Sequence, residues 1–192
     1  MIGHFPLRIA AAGLLLTAML VALVVTEDRA RAAGREVALP MEAFDPRDLL
    51  TGHYVALQMT QRLAPGRPCP TRTQPFDDGG WLALRAADGG FVGQGDTREA
   101  ALASGGDLAV RGGVLCTRMM VANVETNAVT LDVGVDRFHA DQAEAEAMEK
   151  VLRARGGGQA VPAFAVVSVG EDGRARLKGV ILDGKRTDLT WW

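Results

Sequence analysis

Seventeen consecutive residues, Ile9 to Val25 (IAAAGLLLTAMLVALVV), carry no charge. As an α-helix they extend about 25 Å, the short end of what a bilayer span requires. Leu7 and Thr26 lengthen the stretch, and Arg8 can snorkel to the interface. No face of this helix is polar, which argues against a surface or core helix of a soluble domain. A cleaved secretory signal is the competing reading, but such apolar regions run to about 7–15 residues. The one A-x-A triplet suited to cleavage, Ala30-Arg31-Ala32, lies past the apolar stretch among charges. The sequence therefore predicts an anchor that contacts the lipid bilayer through residues 9–25.

Two arguments on orientation conflict. Arg29, Arg31 and Arg35 follow the span while Arg8 precedes it, and a strict count of positive charge would keep the C-terminal region in the cytoplasm. Long C-terminal domains, however, translocate largely regardless of charge, and the short N-terminal stub has the layout of a signal anchor. The expected organisation is a cytoplasmic stub, anchor and juxtamembrane segment over residues 1–34, with an extracytoplasmic domain over 35–192. Cys69 and Cys116 both follow the span. In an oxidising compartment they are a disulfide candidate, and otherwise two separate thiols. Two cysteines alone do not make a zinc site, which wants about four ligands. With a net charge of -2, no global basic field points to nucleic acid.

Beyond the anchor the periodicity is mostly that of strands. Val55, Leu57, Met59 and Leu63 alternate with polar or small neighbours, predicting a half-buried strand at about 53–62. Val37, Leu39 and Met41 alternate around Pro40, predicting an edge strand. Residues 64–80 carry Pro65, Pro68, Pro70 and Pro75 and form a long loop. Strand and turn signals recur at Trp81–Arg85, Phe91-Val92, Leu108–Arg111 and Val114–Met120, with Gly112-Gly113 read as a hairpin turn. Thr97 to Ala103 fits one helical turn. A strand is expected over 128–136, and three more over 161–169, 174–182 and 185–192, turning at Glu171-Asp172-Gly173 and Asp183-Gly184. Asp141 and Glu144 start a capping-box-like pattern, and Ala147, Met148, Val151 and Leu152 continue it as one amphipathic helix. The fold class is α+β: a single transmembrane helix followed by a β-rich domain with one amphipathic helix.

At Gly52-His53-Tyr54-Val55-Ala56-Leu57-Gln58-Met59 the chain resembles the GDYXXLXY family of small bacterial membrane-anchored proteins of unknown function. The lead-in Asp45 to Leu50, the block Arg137-Phe138-His139 and the ending Gly179 to Lys185 are similar to that family's other blocks. His53 stands where the pattern has Asp, and Met59 where it has Tyr. The resemblance implies a location and an architecture: the bacterial inner membrane, a single pass, and a periplasmic domain. It also implies a multi-pass membrane protein as partner. It implies no activity.

The residues themselves assemble no catalytic set. Gly52-His53-Tyr54-Val55 looks like the substrate-binding strand of signal peptidases, yet those enzymes need a Ser before that strand and a Lys after it. Met41 to Thr51 contains no Ser, and the next lysine is Lys150. His53 and His139 lack any HxH, HExxH or CxxC spacing, so no metal or other cofactor is expected. Glu144, Glu146 and Glu149 fall largely on the solvent side of the expected helix. The motif residues Gly52, His53, Tyr54, Leu57 and Met59 are either a fold element or a site whose role the sequence does not give. The leading expectation is a non-catalytic binding or assembly module for a membrane partner. The alternatives are an envelope hydrolase and a small-ligand-binding module, each with a site near His53 and the 64–80 loop.

Overall fold

The computed structural model describes residues 5–43, 54–70, 79–121, 124–135, 137–139 and 162–189. The expected amphipathic helix at 141–155 and the Trp191-Trp192 ending lie outside the described residues.

Helix α1 spans Phe5–Ala33. Every side chain from Arg8 to Arg29 is exposed, as a helix apolar on all faces should be when it has no protein to pack against. It is long and apolar enough to cross a membrane. The helix runs through Thr26-Glu27-Asp28 without interruption and ends one residue before Gly34. Strand β1 (Arg35–Pro40) starts at the next position.

The remaining described elements are β2 (Glu42–Ala43), β3 (Tyr54–Arg62), β4 (Trp81–Leu84), β5 (Phe91–Gly95), α2 (Arg98–Leu102), β6 (Leu108–Arg111), β7 (Gly113–Val121), β8 (Val124–Asp132), β9 (Arg137–His139), β10 (Ala163–Val169), β11 (Ala175–Leu182) and β12 (Lys185–Asp188). They form three antiparallel sheets. The first has the order β1-β10-β11-β12, the second β2-β3-β8-β7 with β9 also on β3, and the third β5-β4-β6.

The sequence-local features explain most of the turns. Asp183 and Gly184 both have positive φ, 51° and 75°, the backbone that a two-residue turn needs to match strand twist. Thr97 caps α2 by accepting a 3.1 Å hydrogen bond from the Ala100 amide, which satisfies a donor the helix cannot. Pro40 ends an edge strand, where its missing N–H removes no ladder bond.

Two expectations on the strands are corrected. Gly112-Gly113 is not a hairpin turn: β6 pairs with β4, while β7 pairs with β8 in another sheet. Gly112 is the crossing point, where its amide donates to Gly80 O at 3.0 Å. A Cβ there would overlap the Asp132 carbonyl oxygen. The expected 128–136 strand is β8, which starts earlier, at Val124, and stops at Asp132. Val133 is buried after the strand has ended, so alternation alone overran its end.

One hydrophobic core joins the sheets. Val37 and Leu39 of β1, Leu82 and Val110 of the third sheet, Val129 and Leu131 of β8, and Val167 and Val180 all belong to it. Gln61 of β3 links the second sheet to the third. Its amide donates to Gly89 O and accepts from Phe91 N, both at 2.8 Å, as a strand backbone would.

Candidate functional site

The motif strand β3 lies between β2, which pairs at Leu57 and Gln58, and β8. Its first residues pair with β9, setting Tyr54 opposite His139, Val55 opposite Phe138 and Ala56 opposite Arg137. Its last residues pair with β8, from Met59 opposite Leu131 to Arg62 opposite Ala128. Leu57 and Met59 point into the core, and Met59 is only 2% exposed, while Gln58 between them is exposed. The period-2 rule thus assigns Leu57 and Met59 to packing. Gly52 and His53 lie outside the described residues.

Two other blocks that resemble the family converge on the same place. Phe138 of β9 is 1% exposed and packs in the core, as do Val180 and Leu182 of β11, and β9 contacts β11. The three segments, distant in sequence, form one packed unit.

Cys69 and Cys116 are joined by a disulfide, with S–S 2.03 Å and Cα–Cα 5.8 Å, across 47 positions of sequence. It ties the segment after β3 to β7. Nothing in the local alternation signalled this pairing, which depends on the segment after β3 returning to β7 of the same sheet. Beside the disulfide is an open cleft of about 310 Å³, lined by Leu63, Arg67, Phe91, Gln94 and Ser104 among others. The Arg67 guanidinium donates to the Phe91 and Val92 carbonyls, both from residues of the cleft wall.

The chain's two serines, Ser104 and Ser168, differ in their surroundings. Ser104 donates to the Ala101 carbonyl at the end of α2. Ser168 is completely buried. Among the described residues no group of three His, Cys, Asp or Glu could hold a metal ion.

The most developed electrostatics lie on the first sheet. Glu36 of β1 meets Arg186 at 2.6 Å and Lys178 at 3.0 Å. These hydrogen bonds, from Arg186 first and then Lys178, hold its carboxyl down to about 2. Arg176 of β11, 12% exposed, lies between Glu27 of α1 at 2.6 Å and Asp172 at 2.9 Å. Its guanidinium keeps the Asp172 carboxyl below the ordinary range.

A family model described as GDYXXLXY protein matches residues 16–180. The chain belongs to the GDYXXLXY family. The match runs from Leu16 within α1 to Val180 within β11, so the GDYXXLXY pattern takes in much of the helix as well as the β-rich region. No curated protein and no solved structure matches the chain. In this GDYXXLXY protein the described motif side chains, Leu57 and Met59, are core residues.

Proposed function

We propose that this GDYXXLXY protein is a single-pass protein of a bacterial inner membrane, with residues 35–192 forming a periplasmic, non-catalytic module that binds or assembles a membrane partner, such as a multi-pass protein. The Cys69–Cys116 disulfide carries the periplasmic part of the reading. Such bonds persist in oxidising compartments and are reduced in a bacterial cytoplasm. The core positions of Leu57, Met59 and Phe138 support a packing role for the shared blocks. Ser104, bonded at the end of α2, and Ser168, closed off from solvent, lend a serine hydrolase no support.

The deciding experiment is thiol labelling in intact cells with a membrane-impermeant maleimide. Labelling that needs reductant but not lysis supports the periplasmic placement. Labelling that needs lysis but no reductant overturns it. Cross-linking followed by purification then tests the partner: a reproducible membrane protein supports the assembly role, and a monomer in every condition removes it. The cleft beside the disulfide keeps a second reading, a small-ligand module, which requires a ligand that raises the melting temperature.

A further inference from the structure

The uncharged stretch ends at Val25, and Glu27 is the first charged residue after it. If α1 spans the bilayer, as the proposed function holds, the next five residues, Thr26 to Ala30, rise about 8 Å. That matches the headgroup layer, roughly 5–8 Å on each side. Glu27 therefore lies among headgroups, and it is not alone there. Arg176 bridges it to Asp172 through contacts of 2.6 and 2.9 Å. The turn between β10 and β11 is thus one guanidinium away from a residue at headgroup depth.

That turn is fixed to one end of the third sheet. The Arg111 amide donates to Gly173 O at 2.8 Å, and its Nε donates to Asp172 O at 3.0 Å. The Arg111 guanidinium stacks over Trp81, 4.9 Å from the ring centre. Gly173, at φ +76°, lies so close to that ring that a Cβ would overlap it. Arg98 Nη1 reaches the Glu171 carbonyl at 3.5 Å. The carboxylates of Glu27 and Asp172 are already taken by Arg176. Arg98 and Arg111 donate to these carbonyls, Arg174 adds its positive field at Asp172, and the side chains of Arg29, Arg98, Arg111 and Arg174 are all exposed. Asp96, Glu99 and Glu171 stand at the same end, so with Arg176 set against Glu27 and Asp172 the arginines and carboxylates balance, and what this end offers is exposed guanidinium donors rather than net positive charge.

We propose that this end of the domain, Trp81 with Arg98, Arg111 and Arg174, together with Arg29 of the helix, lies in the headgroup layer and binds phospholipid phosphates. Tryptophan is enriched at that depth, and a planar guanidinium matches phosphate oxygens with paired donors. The inference rests on α1 spanning the bilayer, and it holds on either side of the membrane.

The test uses the full chain with Trp191→Phe and Trp192→Phe, which leaves Trp81 as its one tryptophan, in nanodiscs. The expected result is Trp81 quenching by headgroup-spin-labelled phosphatidylcholine at least twofold greater than by a lipid labelled at mid-chain. Arg98→Gln with Arg174→Gln should at least halve that quenching, with the larger loss in discs containing phosphatidylglycerol. Protein that resists alkaline carbonate extraction yet shows no headgroup quenching overturns this proposal alone. Protein that carbonate extracts overturns the spanning reading and the proposal with it.

Discussion

Gly34 lies directly against Ser168. A Cβ on Gly34 would overlap Ser168 Oγ and come within 2.8 Å of the Val169 carbonyl oxygen. The joint between anchor and sheet therefore has room for a hydrogen and nothing larger. Gly34→Ala should destabilise the β-rich region by about 1–3 kcal/mol through overpacking, read as a lower melting temperature in detergent. Ser168 Oγ is buried with no hydrogen-bond partner, so Ser168→Ala should be neutral or stabilising. The double variant should recover part of the loss but not all, because the Val169 carbonyl remains.

The motif strand gives a second prediction. Leu57→Ala and Met59→Ala should each cost about 2–5 kcal/mol, the range for truncating a buried large side chain. Gln58→Ala, exposed between them, should stay within about 0.5 kcal/mol. Chemical denaturation of the three variants checks this. Equal and small effects would mean that Leu57 and Met59 serve something other than packing.

Removing the disulfide should matter more than any surface change. Closing a loop of this size contributes about 4 kcal/mol in the chain-entropy model. Cys69→Ala with Cys116→Ala should lower the denaturation midpoint, and reductant should do the same to the parent chain and nothing to the double variant.

The Glu36 cluster predicts an acid dependence. Its carboxyl titrates near 4.5 in an unfolded chain and at about 2 in the fold. A depressed folded value means the contribution is fully present above about 4.5 and disappears as pH falls through about 2. Because Glu36 is 39% exposed, solvent screening limits it to no more than about 1 kcal/mol. Glu36→Gln should therefore melt slightly lower than the parent at pH 7, and the gap should close by about pH 2.

The sequence was most legible where a local rule decides the structure. The uninterrupted apolar run marked α1, alternation marked β1 and β3, and Asp183-Gly184 marked a tight turn. It was least legible where partners lie far apart. Edge strand β1 pairs with β10, Arg35 opposite Val169, and no periodicity encodes that choice. Gly112 looked like a turn residue because a strand crossing and a hairpin both ask for a position without a side chain. For the candidate site, the pattern gave Leu57 and Met59 as one face of a strand. It could not say that β9 and β11 would join that face from 80 or more positions away.

Helix α1 passes into β1 through Gly34 alone. A domain on a flexible tether can wander over a wide hemisphere above its anchor. This one has only about 12 Å of helix, Thr26 to Ala33, between the apolar stretch and its first sheet, with Arg176 bracing the joint. Its reach is short and its heading is set, so if α1 spans the bilayer as proposed, tilting it there would swing the sheets with it. A membrane partner of the proposed kind, gripping α1, would in this way change what the outer face of the domain presents.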